Sequence, residues 1–138
     1  MNFLPFKKLA YLRVWLIPMI TYLALVAVLC LIRLEGPPST IPYLDKIEHM
    51  IAYTLMGFAA AQLFQKNEFS RAALLCFTFS FVIECLQGLT SYRSFELADL
   101  AVNLTGAYTG ASFTRFIMPN FLVAIDSRLQ QNLAAKSE

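Results

Sequence analysis

Charged residues are so sparse along this 138-residue chain that they divide it into long apolar runs. The first, between Arg13 and Arg33, predicts a helix over about 14–32, with Pro18 near its start. A second is predicted over about 47–65, and a third over about 72–92, between Arg71 and Arg93 with Glu84 inside it. The fourth, about 97–118, is entered through Asp99 and closed by Arg115 and Pro119. A helix rising about 1.5 Å per residue needs about 20 mostly apolar residues to cross a hydrocarbon core. Each run meets that length, so the pattern predicts an all-α integral membrane protein, a four-helix transmembrane bundle. In the 120–138 tail, Leu122, Ile125, Leu129 and Leu133 recur at helical spacing, with Asp126, Arg128, Gln130 and Gln131 largely elsewhere on the wheel. That suits a short amphipathic helix on the cytoplasmic surface, a frayed extension being the alternative.

Composition agrees with the pattern. Hydrophobic residues make up 58% and charged residues 14%, with a mean hydropathy of +0.58, against roughly 45–50% and about 25% in ordinary globular chains. No linker or repeat divides the chain, so residues 1–138 are expected to form a single domain. A signal peptide would also place Lys7, Lys8 and Arg13 before an apolar run, but this run is too long and no small-x-small site follows Leu31 and Ile32. Lys and Arg then give the orientation. Lys7, Lys8, Arg13, Lys66, Arg71, Arg115, Arg128 and Lys136 fall on one side, and Arg33, Lys46 and Arg93 on the other. Both chain ends are therefore expected in the cytoplasm. A net charge of +2 without clustering argues against nucleic acid. Cys30, Cys76 and Cys85 form no C-x-x-C pair and are expected to be buried free thiols.

Once the runs are oriented, the unusual polar residues collect at the outer end. Asp45, His49, Tyr53 and Gly57 recur in steps of four on the second helix, with Glu48 beside them. The third carries Ser80, Glu84, Gln87 and Gly88, and the fourth Asp99, Asn103, Gly106 and Gly110. Nine residues separate Glu84 from Arg93, which places the acid about 13 Å below the outer end. An acid at that depth is expected to face the bundle interior and marks a functional site. Gly106 and Gly110 permit close helix approach and can bring Asn103 towards its neighbours. Arg93, in the last outer loop, is the natural partner of Glu84 or Asp99, or of a phosphate. Each residue also has a plain structural role open to it. Asp45 and Asp99 can cap helices, His49 and Tyr53 can belong to an interfacial belt, and Arg93 can snorkel.

The stretch Asp45-Lys46-x-x-His49-x-x-x-Tyr53, then Glu84-x-x-Gln87, then Arg93-x-x-x-x-x-Asp99-x-x-x-Asn103-x-x-Gly106 resembles the VanZ-like family. The likeness covers roughly residues 43–110, with Glu96 adding an acid where many members carry a short apolar-Asp run. The resemblance implies a multi-pass protein of the bacterial cytoplasmic (inner) membrane. The family is named for a protein associated with teicoplanin (glycopeptide) resistance, and its biochemical activity is not established.

Two functions compete on these residues. In the first, the outer pocket binds a lipid headgroup or lipid-linked wall precursor. Arg93 would hold an anionic group there, with Gln87, Asp99, Asn103 and Tyr53 lining the site. In the second, the protein is a membrane-embedded enzyme acting on a lipid-linked substrate, with His49, Glu84 and Asp45 as candidate acid–base groups. No cofactor is implied. A metal on His49, Glu84 and Asp99 is conceivable, but one histidine with carboxylates is a weak zinc signature, and no metal is expected. Polar groups confined to the outer half argue against a transport path, and a homo-oligomer is compatible with four short spans. A purely structural role for the polar stripes is the remaining alternative.

Overall fold

The structure, a computed structural model, describes residues 6–32 and 43–136. They form helices α1 (Leu12–Leu31), α2 (Leu44–Leu63), α3 (Phe69–Gly88), α4 (Leu97–Phe116) and α5 (Phe121–Ala134), with one 3-10 turn at Lys66–Glu68 before α3. No strand occurs among the described residues beyond an isolated bridge between Phe6 and Phe64. The predicted outer connection after α1, with Arg33, lies outside the described residues. Two stretches are long and apolar enough to cross a membrane, Leu12–Leu31 and Lys66–Gly88. α2 carries Asp45, Lys46, Glu48 and His49 in its first turns, and α4 carries Asp99 and Asn103 in its own.

α2 and α4 run parallel and make the most extensive contact in the fold. A Cβ on Gly57 would lie 2.1 Å from the Ala107 carbonyl oxygen, and one on Gly110 would lie 1.9 Å from the Thr54 carbonyl oxygen. Both distances are far inside van der Waals contact, so the two backbones touch where only hydrogen fits. Thr114 Oγ1 donates to the Phe58 carbonyl at 3.0 Å, and Gln62 Nε2 donates to the Met118 carbonyl at 3.0 Å, closing the C-terminal end of the same pair.

α3 packs antiparallel against this pair and buries Ala72, Ala73, Cys76, Ser80, Glu84 and Gln87. It stops at Gly88, several residues earlier than the apolar run predicts. The Thr90 backbone N–H and Oγ1 both bond the Gln87 carbonyl, at 2.9 and 2.8 Å, and close the helix end. The chain then folds back so that Phe95 packs over Gly88. Glu84 therefore lies one turn from the helix end, beneath the returning loop. Among the thiols, Cys76 is buried, Cys30 half-buried and Cys85 exposed. Cys85 departs from the expected burial because it follows Glu84 by about 100° of helix rotation, on the outward face of α3.

α1 is peripheral, with Val26 as its one buried residue. Polar ties hold it, and Tyr92 Oη donates to the Leu31 carbonyl at 2.6 Å as one of them. Tyr22 Oη donates to the Ala52 carbonyl at 2.9 Å, and Gln87 Nε2 donates to the Cys30 carbonyl at 2.8 Å. At the other end the tail forms the helix α5 rather than a frayed extension. Its polar pattern needs one correction: Asp126 is buried, 4% exposed, not on an outward polar face. Its carboxylate accepts from the Ala10 amide at 2.6 Å, the Tyr11 amide at 3.1 Å and the Trp15 indole N–H at 2.7 Å. These donors precede or open α1, where backbone amides have no partner within the helix. Lys7 Nζ also donates to the Pro119 carbonyl at 2.5 Å.

Two outcomes are expected. Gly110→Ala should cost about 1–3 kcal/mol or more, whereas Gly88→Ala, which meets only the Phe95 Cβ at 3.1 Å, should cost clearly less. Unfolding of the detergent-purified variants checks the order. The second concerns Asp126. Burial works to raise its pKa, but the Trp15, Ala10 and Tyr11 donors together hold it below the ordinary value. Its stabilisation is then full above the unfolded value of about 3.9 and lost as pH falls through the lower folded value. Asp126→Asn should cost about 1–3 kcal/mol at neutral pH, and its stability should fall less steeply than that of the unmodified protein below about pH 4.

Candidate functional site

The parallel α2–α4 contact determines what meets where these two helices begin. One to two turns beyond Gly57 and Gly106, His49 faces Asn103, with the two side chains 3.0 Å apart between Nδ1 and Oδ1. Asn103 Nδ2 donates onward to Ser80 Oγ on α3 at 2.7 Å. An amide oxygen only accepts, so in this arrangement His49 carries a proton on Nδ1 and donates it to Asn103. Ser80 and Asn103 are almost wholly buried. The chain His49–Asn103–Ser80 thus links three helices. Tyr53 lies beneath it, 1% exposed, its ring stacked on the His49 ring with centroids 6.3 Å apart.

Glu84 and Asp99 approach the same point from α3 and α4. Glu84 is 0% exposed. Its Oε2 accepts from the Glu96 backbone N–H at 3.3 Å, while Oε1 is buried with no hydrogen-bond partner. Asp99 is buried and pairs with Lys46, whose Nζ lies 2.5 Å from Oδ1. Lys46 also reaches Glu96 Oε2 at 3.1 Å and Asp45 Oδ2 at 3.4 Å, so one ammonium gathers three carboxylates. One nitrogen of His49 and one oxygen each of Glu84 and Asp99 lie within 4.8 Å of one another.

Arg93 departs from its expected partnership. It is exposed and forms no ion pair with Glu84 or Asp99 among the described residues. The reason is positional. Lys46 projects from α2 across the tightest helix contact and takes Asp99, while Arg93 sits in the loop beyond the end of α3. The guanidinium instead borders two cavities. One, of about 400 Å³, is lined by Gln87, Ser91, Tyr92, Arg93, Ser94, Glu96 and Asp99. The other, of about 390 Å³, lies between α1 and α2 and joins Glu48, His49 and Arg93 to an apolar wall of Val26, Leu29, Cys30 and Ala52.

The remaining candidates divide. Gln87 borders the first cavity but commits its amide N–H to the Cys30 carbonyl. Tyr53 lines neither of these cavities, and its hydroxyl is buried without a hydrogen-bond partner. Asp45 is half exposed and is tied to the cluster through Lys46. The N-cap positions are held by Tyr43 and Glu96, and Asp45 and Asp99 lie in the first turns of their helices. The role of Lys46 is the part that sequence reasoning missed. The signal was present, since Lys46 precedes His49 by three residues and so shares its helix face.

Lys46→Met should cost about 1.5–3 kcal/mol, because it removes a charged hydrogen bond and leaves Asp99 buried. Arg93→Met should stay within about 0.5 kcal/mol. Denaturant unfolding of both variants in detergent checks this, and the reverse order would make Arg93 the structural counter-ion.

A family model described as VanZ/LLP1 matches residues 1–118. The match spans α1 through α4 and leaves α5 outside it. Comparison with curated proteins and with solved structures gives no match.

Proposed function

The chain belongs to the VanZ/LLP1 family, and from that premise we propose that it is an envelope protein of the bacterial cytoplasmic membrane which binds a phosphate-bearing amphiphile at its outer end. In this reading α1 to α4 each cross the bilayer, both chain ends are cytoplasmic, and α5 lies along the inner surface. The supporting observation is the cavity between α1 and α2. Its wall of Val26, Leu29, Cys30 and Ala52 is apolar, and Glu48, His49 and Arg93 stand together at its polar part. An amphiphile has that division of character. Its chain would lie along α1, whose outward residues Leu25, Val28 and Leu29 are exposed and apolar. Its headgroup would meet Arg93, whose guanidinium matches phosphate oxygens in geometry as well as charge. The acidic neighbours Glu48, Glu96 and Asp99 would accept from amine, amide or hydroxyl groups. A lipid headgroup and a lipid-linked wall precursor both present that combination. A wall-precursor ligand is also the variant through which a role in glycopeptide resistance would arise.

A second reading has support of its own. His49 is oriented by Asn103 with Nε2 free, and Glu84 Oε1 is unpartnered close by. An oriented imidazole beside a free carboxylate is suited to proton transfer on a lipid-linked substrate.

Two measurements test these readings. Arg93→Ala protein, purified at matched yield, should lose binding of phosphatidylglycerol or of an isoprenyl-diphosphate-linked wall precursor. Unchanged binding would refute the amphiphile site. Turnover of the precursor that disappears in His49→Ala would instead favour the enzyme. For topology, alkaline phosphatase fused after residue 134 should be inactive and a fluorescent protein fused there should be bright.

A further inference from the structure

We propose that His49, Glu84 and Asp99 form a binding site for one divalent first-row transition ion, of the zinc or manganese class, at the outer end of the α2–α3–α4 core. This goes beyond the amphiphile reading and does not depend on it.

The three residues come from three helices and are all buried, and their donor atoms lie within 4.8 Å of one another. Ligands about 2.1 Å from a tetrahedral ion stand roughly 3.4 Å apart, so small side-chain rotations bring the trio to coordinating distance. The observation that points to a ligand is Glu84 Oε1. It is buried in a residue that is 0% exposed, it has no hydrogen-bond partner, and Glu84 is one of the three clustered residues. A carboxylate oxygen left unpaired in the interior is costly, and a cation compensates it directly.

Two further features suit an ion. His49 donates its Nδ1 proton to Asn103, which is anchored on Ser80 in turn. Metal-ligating histidines are commonly held in this way, with the second nitrogen presented to the ion. The charge balance also leaves room for one. Asp45, Glu48, Glu84, Glu96 and Asp99 stand around the site, against Lys46 and Arg93 as the only cations among the described residues that border it. Lys46 bonds Asp99 through Oδ1, and no hydrogen bond to Oδ2 occurs among the described residues. One imidazole with two carboxylates is a mixed donor set, nitrogen for zinc and oxygen for manganese. Three protein ligands leave at least one coordination position open, as in metal sites that also engage a bound molecule.

The test uses the full-length protein in detergent, stripped with chelator and titrated with Zn²⁺ or Mn²⁺. One equivalent should bind and raise the melting temperature. Glu84→Gln should weaken binding at least tenfold, while Glu68→Gln, in the 3-10 turn before α3, should bind normally. Loading with Co²⁺ provides a readout that needs no variant, since visible d–d absorption should appear and be displaced by Zn²⁺. The proposal is overturned if the unmodified protein binds no stoichiometric ion. It is equally overturned if Glu84→Gln and His49→Gln bind as tightly as the original, which would locate the ion on the surface. A Glu84→Gln protein more stable than the stripped original, with no metal response in either, would mean that Glu84 is simply a neutral acid.

Discussion

The backbone contact between α2 and α4 is the constraint on which the rest of this structure depends. Gly57, Gly106 and Gly110 let two parallel helices approach until the carbonyl of one stands where the Cβ of the other would be. Between helices in a lipid-like environment, burial of apolar surface contributes little to association, and close packing and interhelical hydrogen bonds matter more. Small residues supply the first. Side chains at both ends of the same pair supply the second, with Lys46 and Asp99 at one end and Gln62 and Thr114 at the other. A parallel pair at this distance has little freedom to slide, because each glycine is matched to a particular opposing residue.

That register explains why the polar site is both buried and well connected. His49 and Asn103 can meet only because the helices carrying them touch near Gly57 and Gly106. α3 then contributes Ser80 and Glu84 from the opposite chain direction, and its early stop at Gly88 lets the returning loop lay the Glu96 amide over Glu84. Most polar groups in this region are paired, which keeps the cost of burial low. Glu84 Oε1 and the Tyr53 hydroxyl stand out as buried polar atoms without partners.

The same architecture separates two kinds of positive charge. Lys46 is consumed by three carboxylates and acts within the fold. Arg93, beyond the end of α3, borders the two cavities instead. α1 adds little to the core but supplies the apolar wall beside His49 and Arg93. Its attachment relies on a few polar ties, of which the Asp126 carboxylate at the start of α1 is the most highly bonded.

Much of this was legible in the chain alone. The spacing of charges located α1 to α4 to within a few residues, because the length of an apolar run is a local property. Four-residue steps placed His49 and Tyr53, Ser80 and Glu84, and Asp99 and Asn103 on shared helix faces, and the Gly106 and Gly110 pair announced a close approach. Pairing between faces was not legible, since it depends on helix register and on where the chain turns. Lys46 and Arg93 are equally basic and equally near the outer end in sequence, and only the folded geometry gives Asp99 to Lys46. Likewise the Asp126 carboxylate reads as part of a polar helix face until the unpaired amides at the start of α1 are brought against it. The sequence by itself determined the helices and, at positions such as His49, Glu84 and Asn103, the polar residues that face inward. The tertiary structure decided which inward-facing groups satisfy one another and which, like Glu84 Oε1, are left over, because hydrogen bonds between helices depend on ångström-scale register that no local pattern encodes.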